Sequence, residues 1–291
     1  MAAERSYSPL AQAARAALAG CDKVPGSRKP DPILLATGVR RDFGGIVAVD
    51  VEHIEVQRGS ITALIGPNGA GKTTLFNLLS GFDTPSTGTW SFDGRDMAKV
   101  APHKTAALGM VRTFQLTKSL TKLSVIENMR LGATGQRGEK WWNGLFASTW
   151  KKQEAEVTSR AEGLLERFKL SHMRDEFAGA LSGGQRKLLE MARALMTNPT
   201  LVMLDEPMAG VNPALKQSLN DHIRGLRDEG MTVLFVEHDM DMVHDVSDWV
   251  IVMAEGRVIA EGTPDDISKN PAVIDAYLGA HQGRSLLEEG A

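Results

Sequence analysis

A glycine-rich loop is the sequence feature that most constrains how this 291-residue chain can fold. Residues 66–73 read GPNGAGKT and match the pattern G-x-x-x-x-G-K-[ST] at every position. The apolar residues 60–65 predict a strand before the loop, and residues 72–80 predict a helix after it. This context favours a loop that binds phosphate over a glycine-rich turn with a solvated lysine.

The residue types in this loop suit a nucleotide that carries magnesium. Glycines let backbone N–H groups turn inward around phosphate oxygens, and the start of the following helix adds a partial positive charge. Lys72 can reach the β- and γ-phosphates, and Thr73 can offer its hydroxyl to Mg²⁺. The loop therefore predicts that a nucleotide triphosphate binds here.

A second apolar segment ends in two carboxylates. Residues 201–204 read LVML and are followed by Asp205, Glu206 and Pro207. Such a run suits a strand buried on both faces, in a parallel sheet covered by helices. Because Pro207 ends the strand pairing, both acids lie at the carboxyl edge, where ligands bind in open α/β sheets. One carboxylate can hold a metal ion while the other takes a proton. A solvated turn is the competing interpretation, and the phosphate loop decides against it.

Two further polar residues can contribute to the same site, and a third polar segment opens a helix. Gln115 closes a strand predicted over 110–114 and either decorates the surface or points its amide at the metal and the attacking water. His238 follows a strand predicted over 231–236 and either has a structural role or contacts a γ-phosphate. The Ser-Gly-Gly at 182–184 opens a helix, either as a simple cap or as another anion-binding terminus.

Two groups of aromatic residues allow alternative interpretations. Phe43 stands before two glycines and is either an ordinary core residue or a face on which adenine stacks. Trp141, Trp142 and Trp150 lie in an insert of the chain. They either contact a partner or a membrane interface, or pack within a small helical subdomain.

Local signals also predict individual elements. Ser124 starts a helix that runs through Arg130, and Thr263 starts a short helix at Pro264. Two strands over 249–260 form a hairpin across Glu255 and Gly256.

Charge and composition argue against several classes of protein. The net charge of −3 gives no basic footprint for nucleic acid, and the single cysteine excludes an intrachain disulfide. No apolar run approaches the roughly 18 residues that a membrane-spanning helix needs. Residues 1–30 predict a flexible tail, or alternatively an arm that binds a partner, and residues 281–291 predict a disordered tail.

Together these motifs resemble those of an ABC-type ATPase subunit and occur in that family's order. They are the Walker A loop (66–73), the Q-loop (Gln115), the LSGGQ signature (181–185), the Walker B strand with its glutamate (201–206), the D-loop (209–212) and the H-loop (His238). The resemblance implies an α/β fold, in which a P-loop NTPase core carries an antiparallel β subdomain and an inserted α-helical subdomain. It implies a nucleotide-binding domain over 31–280, with the helical subdomain at about 116–180 and C-terminal helices at about 264–279.

Within that family the chain is similar to the ATP-binding subunit of branched-chain amino acid importers. The stretches that carry this similarity are 42–45, 112–115, the long insert before residue 160, 237–240 and 273–279. Asn212 departs from the wider superfamily, whose D-loop more often has Asp at this position.

The resemblance assigns roles to individual residues. The residues implied to bind nucleotide are Phe43, Gly66, Asn68, Gly69, Ala70, Gly71, Lys72, Thr73 and Thr74, with Ser182, Gly183, Gly184 and Gln185 acting on ATP held by an opposite subunit. Those implied to surround Mg²⁺ are Thr73, Gln115 and Asp205. Glu206 is implied as the general base, assisted by His238 and Gln115.

The implied partners follow from the family. They are a second ATPase subunit, which forms a homo- or heterodimer, transmembrane permease subunits, and indirectly a periplasmic or lipid-anchored solute-binding protein. A short permease helix is expected near residues 116–123, and the subunit itself is expected to be a peripheral protein at the cytoplasmic face of the cell membrane. The expected function is ATP-driven uptake of branched-chain or related amino acids. The alternatives are an amide, urea or lipopolysaccharide transporter, and a soluble ABC ATPase that acts outside transport.

Overall fold

The computed structural model describes residues 8–98, 100–113, 121–133 and 147–278. Its central sheet consists of β3 (Ile61–Ile65), β6 (Met110–Arg112), β7 (Leu201–Asp205), β8 (Thr232–Val236), β9 (Trp249–Ala254) and β10 (Arg257–Gly262). The order across the sheet is β10-β9-β3-β8-β7-β6, and every pairing is parallel except that of β9 with β10. Strands β3, β7 and β8 are buried along their whole length, as expected for a parallel sheet covered on both faces.

A second, antiparallel sheet precedes and follows the glycine-rich loop in the chain. It consists of β1 (Pro32–Phe43), β2 (Ile46–Gln57), β4 (Thr87–Phe92) and β5 (Arg95–Asp96), in the order β2-β1-β4-β5. Its apolar face packs with β3 and with the helix after the loop, in a core that includes Val49, Leu64, Phe76 and Trp90. This is the antiparallel β subdomain that the family resemblance implies.

Helices cover the central sheet. They are α1 (Pro9–Ala19), α2 (Lys72–Leu79), α3 (Pro102–Thr105), α4 (Val125–Leu131), α5 (Ala147–Arg167), α6 (Gly183–Ala194), α7 (Pro213–Asp228), α8 (Met240–Val246) and α9 (Pro264–Ser268). Residues 271–278 form a further helix. Helices α4, α5 and α6 contact one another, and Met129, Leu165 and Met191 join one apolar core with the sheet. Within the described residues, no helix is both long and apolar enough to cross a bilayer.

The N-terminal segment corrects an expectation. The prediction of a flexible tail over residues 1–30 is wrong for residues 8–30, and residues 1–7 lie outside the described part of the chain. Ala11, Ala14 and Leu18 share one face of α1 and are at most 3% exposed. Ser8 caps this helix, and its N–H donates to the Asp228 carbonyl over 2.9 Å. The small side chains of α1 therefore let the helix pack closely against the protein.

A buried ion pair fastens the end of this segment. Lys29 Nζ lies 3.1 Å from Glu261 Oε2, and neither side chain is exposed. The ammonium also lies 4.4 Å from the centre of the Trp249 ring, and Trp249 Nε1 donates to the same carboxylate over 3.1 Å. Because each buried charge has a partner, the segment from residue 27 onward is held to β9 and β10.

Other local predictions agree with the structure. Ser124 forms a capping box with Glu127 at the start of α4, and Thr263 does so with Asp266 at α9. The hairpin turns at Glu255 and Gly256, between β9 and β10. The predictions for Trp141, Trp142 and the 281–291 tail lie outside the described residues, and nothing is described of the Trp150 side chain.

Candidate functional site

The register of the central sheet brings the glycine-rich loop and the acidic pair to one edge. Leu64 of β3 pairs with Val236 of β8, and Val236 pairs with Asp205 of β7. Leu64 and Asp205 therefore lie in one row, two strand spacings or about 10 Å apart. The chain leaves β3 and β7 in the same direction, so the loop after Ile65 and the carboxylates at the end of β7 open on the same space.

The loop is built around glycines that other residues cannot replace. A Cβ on Gly66 would lie 2.1 Å from the Met253 carbonyl oxygen, and a Cβ on Gly71 would lie 2.3 Å from that of Ala48. Both also have positive φ, at 148° and 91°. No side chain caps α2 at Gly71, so the first N–H groups of the helix remain for an anion. These backbone donors fit phosphate oxygens.

The remaining loop residues differ in exposure. Asn68 and Gly69 are exposed at the tip of the loop, whereas Ala70 is buried. The Ala70 carbonyl accepts the Gly256 N–H over 3.1 Å. Thr73 is exposed and Thr74 is half-buried in the first turn of α2. The hairpin between β9 and β10 thus supports the loop from one side.

Lys72 lies over the mouth of the loop. Its Nζ donates to the carbonyl oxygens of Gly66 and Pro67, over 2.7 and 2.8 Å. Burial lowers the pKa of the ammonium, and the nearby charge of Glu206 raises it in part. The Lys72 ammonium therefore interacts electrostatically with the Glu206 carboxylate, which follows the end of β7. Phosphate oxygens are the natural replacement for the two carbonyl acceptors.

Glu206 has an unusual backbone conformation. Its φ is +44°, in the left-handed region that side-chain-bearing residues adopt at a cost of about 1–3 kcal/mol. The Glu206 N–H donates to the Val236 carbonyl over 3.0 Å, which extends the pairing of β7 with β8 by one step. The left-handed residue therefore lies directly after Asp205, at the point where β7 ends.

Asp205 is ion-paired with a residue of the adjacent strand. Its Oδ2 lies 2.7 Å from Arg112 Nη2, and the side chains are 10% and 7% exposed. Arg112 Nη1 donates to Asn77 Oδ1 and Ser80 Oγ, over 2.7 and 2.8 Å. Arg112 lies in the 112–115 stretch that carries the family similarity, and that similarity implies no role for it. The sequence does carry one signal for a role of Arg112: like Asp205, it lies at the end of an apolar strand.

The oxygen donors at this edge fit a magnesium ion. Mg²⁺ prefers carboxylates, hydroxyls and water, and it is usually bound by one or two protein oxygens together with nucleotide phosphates. Asp205 supplies a carboxylate and Thr73 an exposed hydroxyl at the start of α2. Gln115, the third predicted ligand, lies outside the described residues.

His238 reaches the same edge at the end of β8, and a buried glutamate holds its backbone. The His238 side chain is 67% exposed, with Nδ1 3.6 Å from Glu237 Oε2. The Glu237 carboxylate accepts the Met208 N–H over 2.9 Å and the His238 N–H over 3.0 Å. Glu237 therefore ties the chain after Glu206 to the chain before α8. Glu237 follows the apolar strand directly, but nothing local in the sequence indicates its bond to Met208, 29 residues away.

Phe43 lies at the open side of the loop. The ring is 48% exposed, and the Arg41 guanidinium lies 4.6 Å from its centre. It pairs with Ile46, only two residues before the Ala48 carbonyl that packs on Gly71. The exposed fraction leaves ring surface for a planar base, so this position is not the ordinary core residue of the competing interpretation.

The Ser-Gly-Gly segment lies beside the chain that follows Glu206. Ser182 and Gln185 form a reciprocal capping box at the start of α6, with distances of 2.9 and 3.3 Å. A Cβ on Gly183 would lie 3.4 Å from the Gly210 carbonyl oxygen, and one on Gly184 would lie 2.3 Å from Leu215 Cδ1. Within this chain the segment thus packs on residues 210–215. Asn212 caps α7 by accepting the Leu215 N–H over 3.0 Å.

The C-terminal helix also approaches the loop. Tyr277 packs against the core, and its hydroxyl is buried near the backbone N–H of Gly66. Burial raises the pKa of this hydroxyl, and the Gly66 N–H lowers it in part. The C-terminal helix therefore places Tyr277 beside Gly66, the first glycine of the loop.

Comparison with known proteins places this arrangement in a family. The family model for ABC transporters matches residues 50–209, more than half of the chain. The chain belongs to the ABC transporter family. A second model, described as a branched-chain amino acid ATP-binding cassette transporter, matches residues 257–282.

Individual members of the family are similar over most of their length. The Archaeoglobus fulgidus protein named as a probable branched-chain amino acid transport ATP-binding protein LivG is 44% identical over 248 residues, which are 85% of this chain and 96% of that protein. The Pseudomonas aeruginosa high-affinity branched-chain amino acid transport protein BraF is 40% identical over 250 residues, 85% of this chain and 98% of its own. An ATP-binding cassette crystallised in its ADP conformation has 39% identity and a TM-score of 0.75, with 85% and 99% coverage.

These relationships confirm the predicted fold and activity. The chain has the ABC ATPase fold, binds nucleotide and is an ATP hydrolase of this transporter family.

Proposed function

We propose that this ABC ATPase energises the uptake of branched-chain or related amino acids. The observation that carries the catalytic part is the shared row of Leu64 and Asp205, which opens the Lys72 loop and the acidic pair on one space. The names of the similar proteins, together with the C-terminal match over 257–282, favour this solute class over amides, urea or lipopolysaccharide.

The loop and Lys72 bind the phosphates. Backbone N–H groups of the loop and of the first turn of α2 donate to the β-phosphate oxygens. Lys72 exchanges its bonds to the Gly66 and Pro67 carbonyls for the β- and γ-phosphates. Thr74 adds a hydroxyl, while Asn68, Gly69 and Ala70 shape the turn around the phosphates. Adenine stacks on the exposed face of Phe43.

Thr73, Asp205 and Gln115 would hold Mg²⁺. The ion would offset the negative charge that develops during phosphoryl transfer. Glu206 accepts the proton of the attacking water, from a backbone in the left-handed region directly after the end of β7. His238 contacts the γ-phosphate from the end of β8, and Gln115 orients the water.

A complete ATP site needs a second ATPase subunit. Coupling of ATP hydrolysis to transport needs a membrane permease. Ser182, Gly183, Gly184 and Gln185 of one subunit cover the γ-phosphate held by the other, because α6 offers a helix N-terminus to an anion. ATP then draws the subunits together, and hydrolysis parts them. The ATPase lies at the cytoplasmic face of the membrane, where transmembrane permease subunits convert this motion into transport of a solute delivered by a binding protein.

The catalytic proposal is tested with Glu206→Gln. We expect steady-state ATP hydrolysis to fall by at least about 100-fold, the lower end of the range for loss of a general base, while ATP still binds. Glu166→Gln, on the exposed face of α5, is the matched control and should retain hydrolysis. Substantial hydrolysis by Glu206→Gln would refute Glu206 as base. Leucine uptake by proteoliposomes that contain the permease complex tests the solute; uptake of urea or an amide instead would refute the solute class.

A further inference from the structure

Asp205 is held by a cation of the protein itself. Arg112 lies on β6 and Asp205 at the end of β7, and the parallel pairing of the strands brings them together although 93 residues separate them in the chain. The side chains are 7% and 10% exposed, so water screens the ion pair poorly. One oxygen of the carboxylate is therefore committed to a guanidinium.

Three groups from α2 and its end keep Arg112 in place. Nη1 donates to Asn77 Oδ1 and Ser80 Oγ while Nη2 holds Asp205. The guanidinium also lies 4.8 Å from the centre of the Phe76 ring. A planar fork held at both ends and stacked on an aromatic ring has little freedom to move away. Arg112 therefore links the helix after the phosphate loop to the carboxylate at the end of β7.

Magnesium and Arg112 need the same carboxylate. A divalent cation beside Asp205 gains most when the carboxylate has no other cation, and it is repelled by a guanidinium fixed at 2.7 Å from Oδ2. Without a cation, however, a buried carboxylate is costly, so the arginine stabilises the site before metal arrives. The two cations are thus alternatives for one anionic site.

We propose that Arg112 is a positioning residue that holds Asp205 in the absence of metal–nucleotide and competes with Mg²⁺ for it, and so sets the Mg²⁺ concentration at which nucleotide binds tightly. This rests on the proposed function, since Asp205 is taken as the metal-binding carboxylate. The arginine acts through Asp205 and takes no part in the chemical step.

The test measures how nucleotide binding depends on Mg²⁺. The full-length chain is titrated with free Mg²⁺ in the presence of the fluorescent nucleotide mant-ADP, which avoids hydrolysis, and binding is also measured in EDTA. Arg112→Gln is expected to lower the half-saturating Mg²⁺ concentration by about threefold to tenfold, the upper value corresponding to about 1.4 kcal/mol. Affinity in EDTA should not rise above that of wild type, because without metal the variant leaves the Asp205 carboxylate unpaired near the phosphates.

Two further variants make the outcome decisive. Arg112→Lys keeps the charge but loses the fork, so it should shift the Mg²⁺ dependence in the same direction by a smaller factor, and it serves if Arg112→Gln does not fold. Arg174→Gln, an exposed arginine in another ion pair, should leave the dependence unchanged. A half-saturating Mg²⁺ concentration that is unchanged or raised in the folded Arg112 variants would overturn the proposal. Failure of the proposed function is distinguishable, because Lys72→Ala would then bind mant-ADP as well as wild type.

Discussion

Lys72 Nζ donates a 2.7 Å hydrogen bond to the carbonyl oxygen of Gly66, six residues earlier in the same loop. A second bond, to the Pro67 carbonyl over 2.8 Å, also keeps the ammonium on its own loop. Burial lowers its pKa below the ordinary value of 10.5, and only the charge of Glu206 works against this shift. A bound triphosphate adds negative charge beside the ammonium and must raise this pKa again.

ATP affinity should therefore fall with rising pH in the alkaline range. Below the pKa of Lys72 in the free protein, the lysine is charged in both states and its contribution to binding is complete. As pH rises through that lowered pKa, the free protein loses a proton that binding must restore, so affinity declines until the higher pKa of the complex is passed. The measurement is the dissociation constant of mant-ATP against pH in EDTA. Lys72→Met should bind more weakly and show a flatter profile; equal slopes for both proteins would contradict this assignment.

Two glycines of the loop should respond differently to the same substitution. Gly69→Ala places a methyl in open space, so it costs only the left-handed backbone, about 1 kcal/mol. Gly71→Ala places a methyl 2.3 Å from the Ala48 carbonyl, so the loop must shift. We expect Gly71→Ala to weaken mant-ATP binding far more than Gly69→Ala, with a larger loss of stability in urea. Equal effects would show that β2 does not constrain the loop as described.

The Lys29–Glu261 pair should behave as a coupled unit. Lys29→Met leaves a fully buried carboxylate without its cation, and we expect unfolding free energy to fall by about 3 kcal/mol or more. The double variant Lys29→Met, Glu261→Gln should recover much of this loss, because a neutral amide can still accept the Gly26 N–H. The coupling free energy is measured by urea unfolding of the wild type, the single variants Lys29→Met and Glu261→Gln, and the double variant. Additive losses in the double variant would contradict a paired role.

Strong local patterns made much of the fold predictable. The apolar run 201–204 and the segment 232–236 became fully buried neighbouring strands, since only a sheet covered on both faces suits such runs. The helix caps at Ser124 and Thr263 were equally predictable, because the hydrogen bonds of a cap join residues only three positions apart. The packing of α1 was not predictable from the sequence. Its buried face consists mainly of alanine, and the residues it contacts, Gly59, Asp228 and Gly230, are remote in sequence.

The site was predictable where residues act through local geometry and less so where they act in pairs. The loop at 66–73 and the acids at 205–206 carry their own signals of spacing and strand position. The Arg112–Asp205 ion pair depends on which strand lies beside β7, and neither residue specifies that alone. Glu237 is similar, since its partner Met208 lies 29 residues away. The role of Gln115 stays a prediction.

The most direct test of the central claim is a crystal structure of Glu206→Gln with ATP and Mn²⁺, in which the metal is located by its anomalous signal. We predict the γ-phosphate at Lys72 Nζ and a single manganese peak between the Thr73 hydroxyl and the Asp205 carboxylate, reached directly or through one water. A triphosphate bound away from residues 66–73, or manganese placed where Asp205 cannot share it with that nucleotide, would contradict the account.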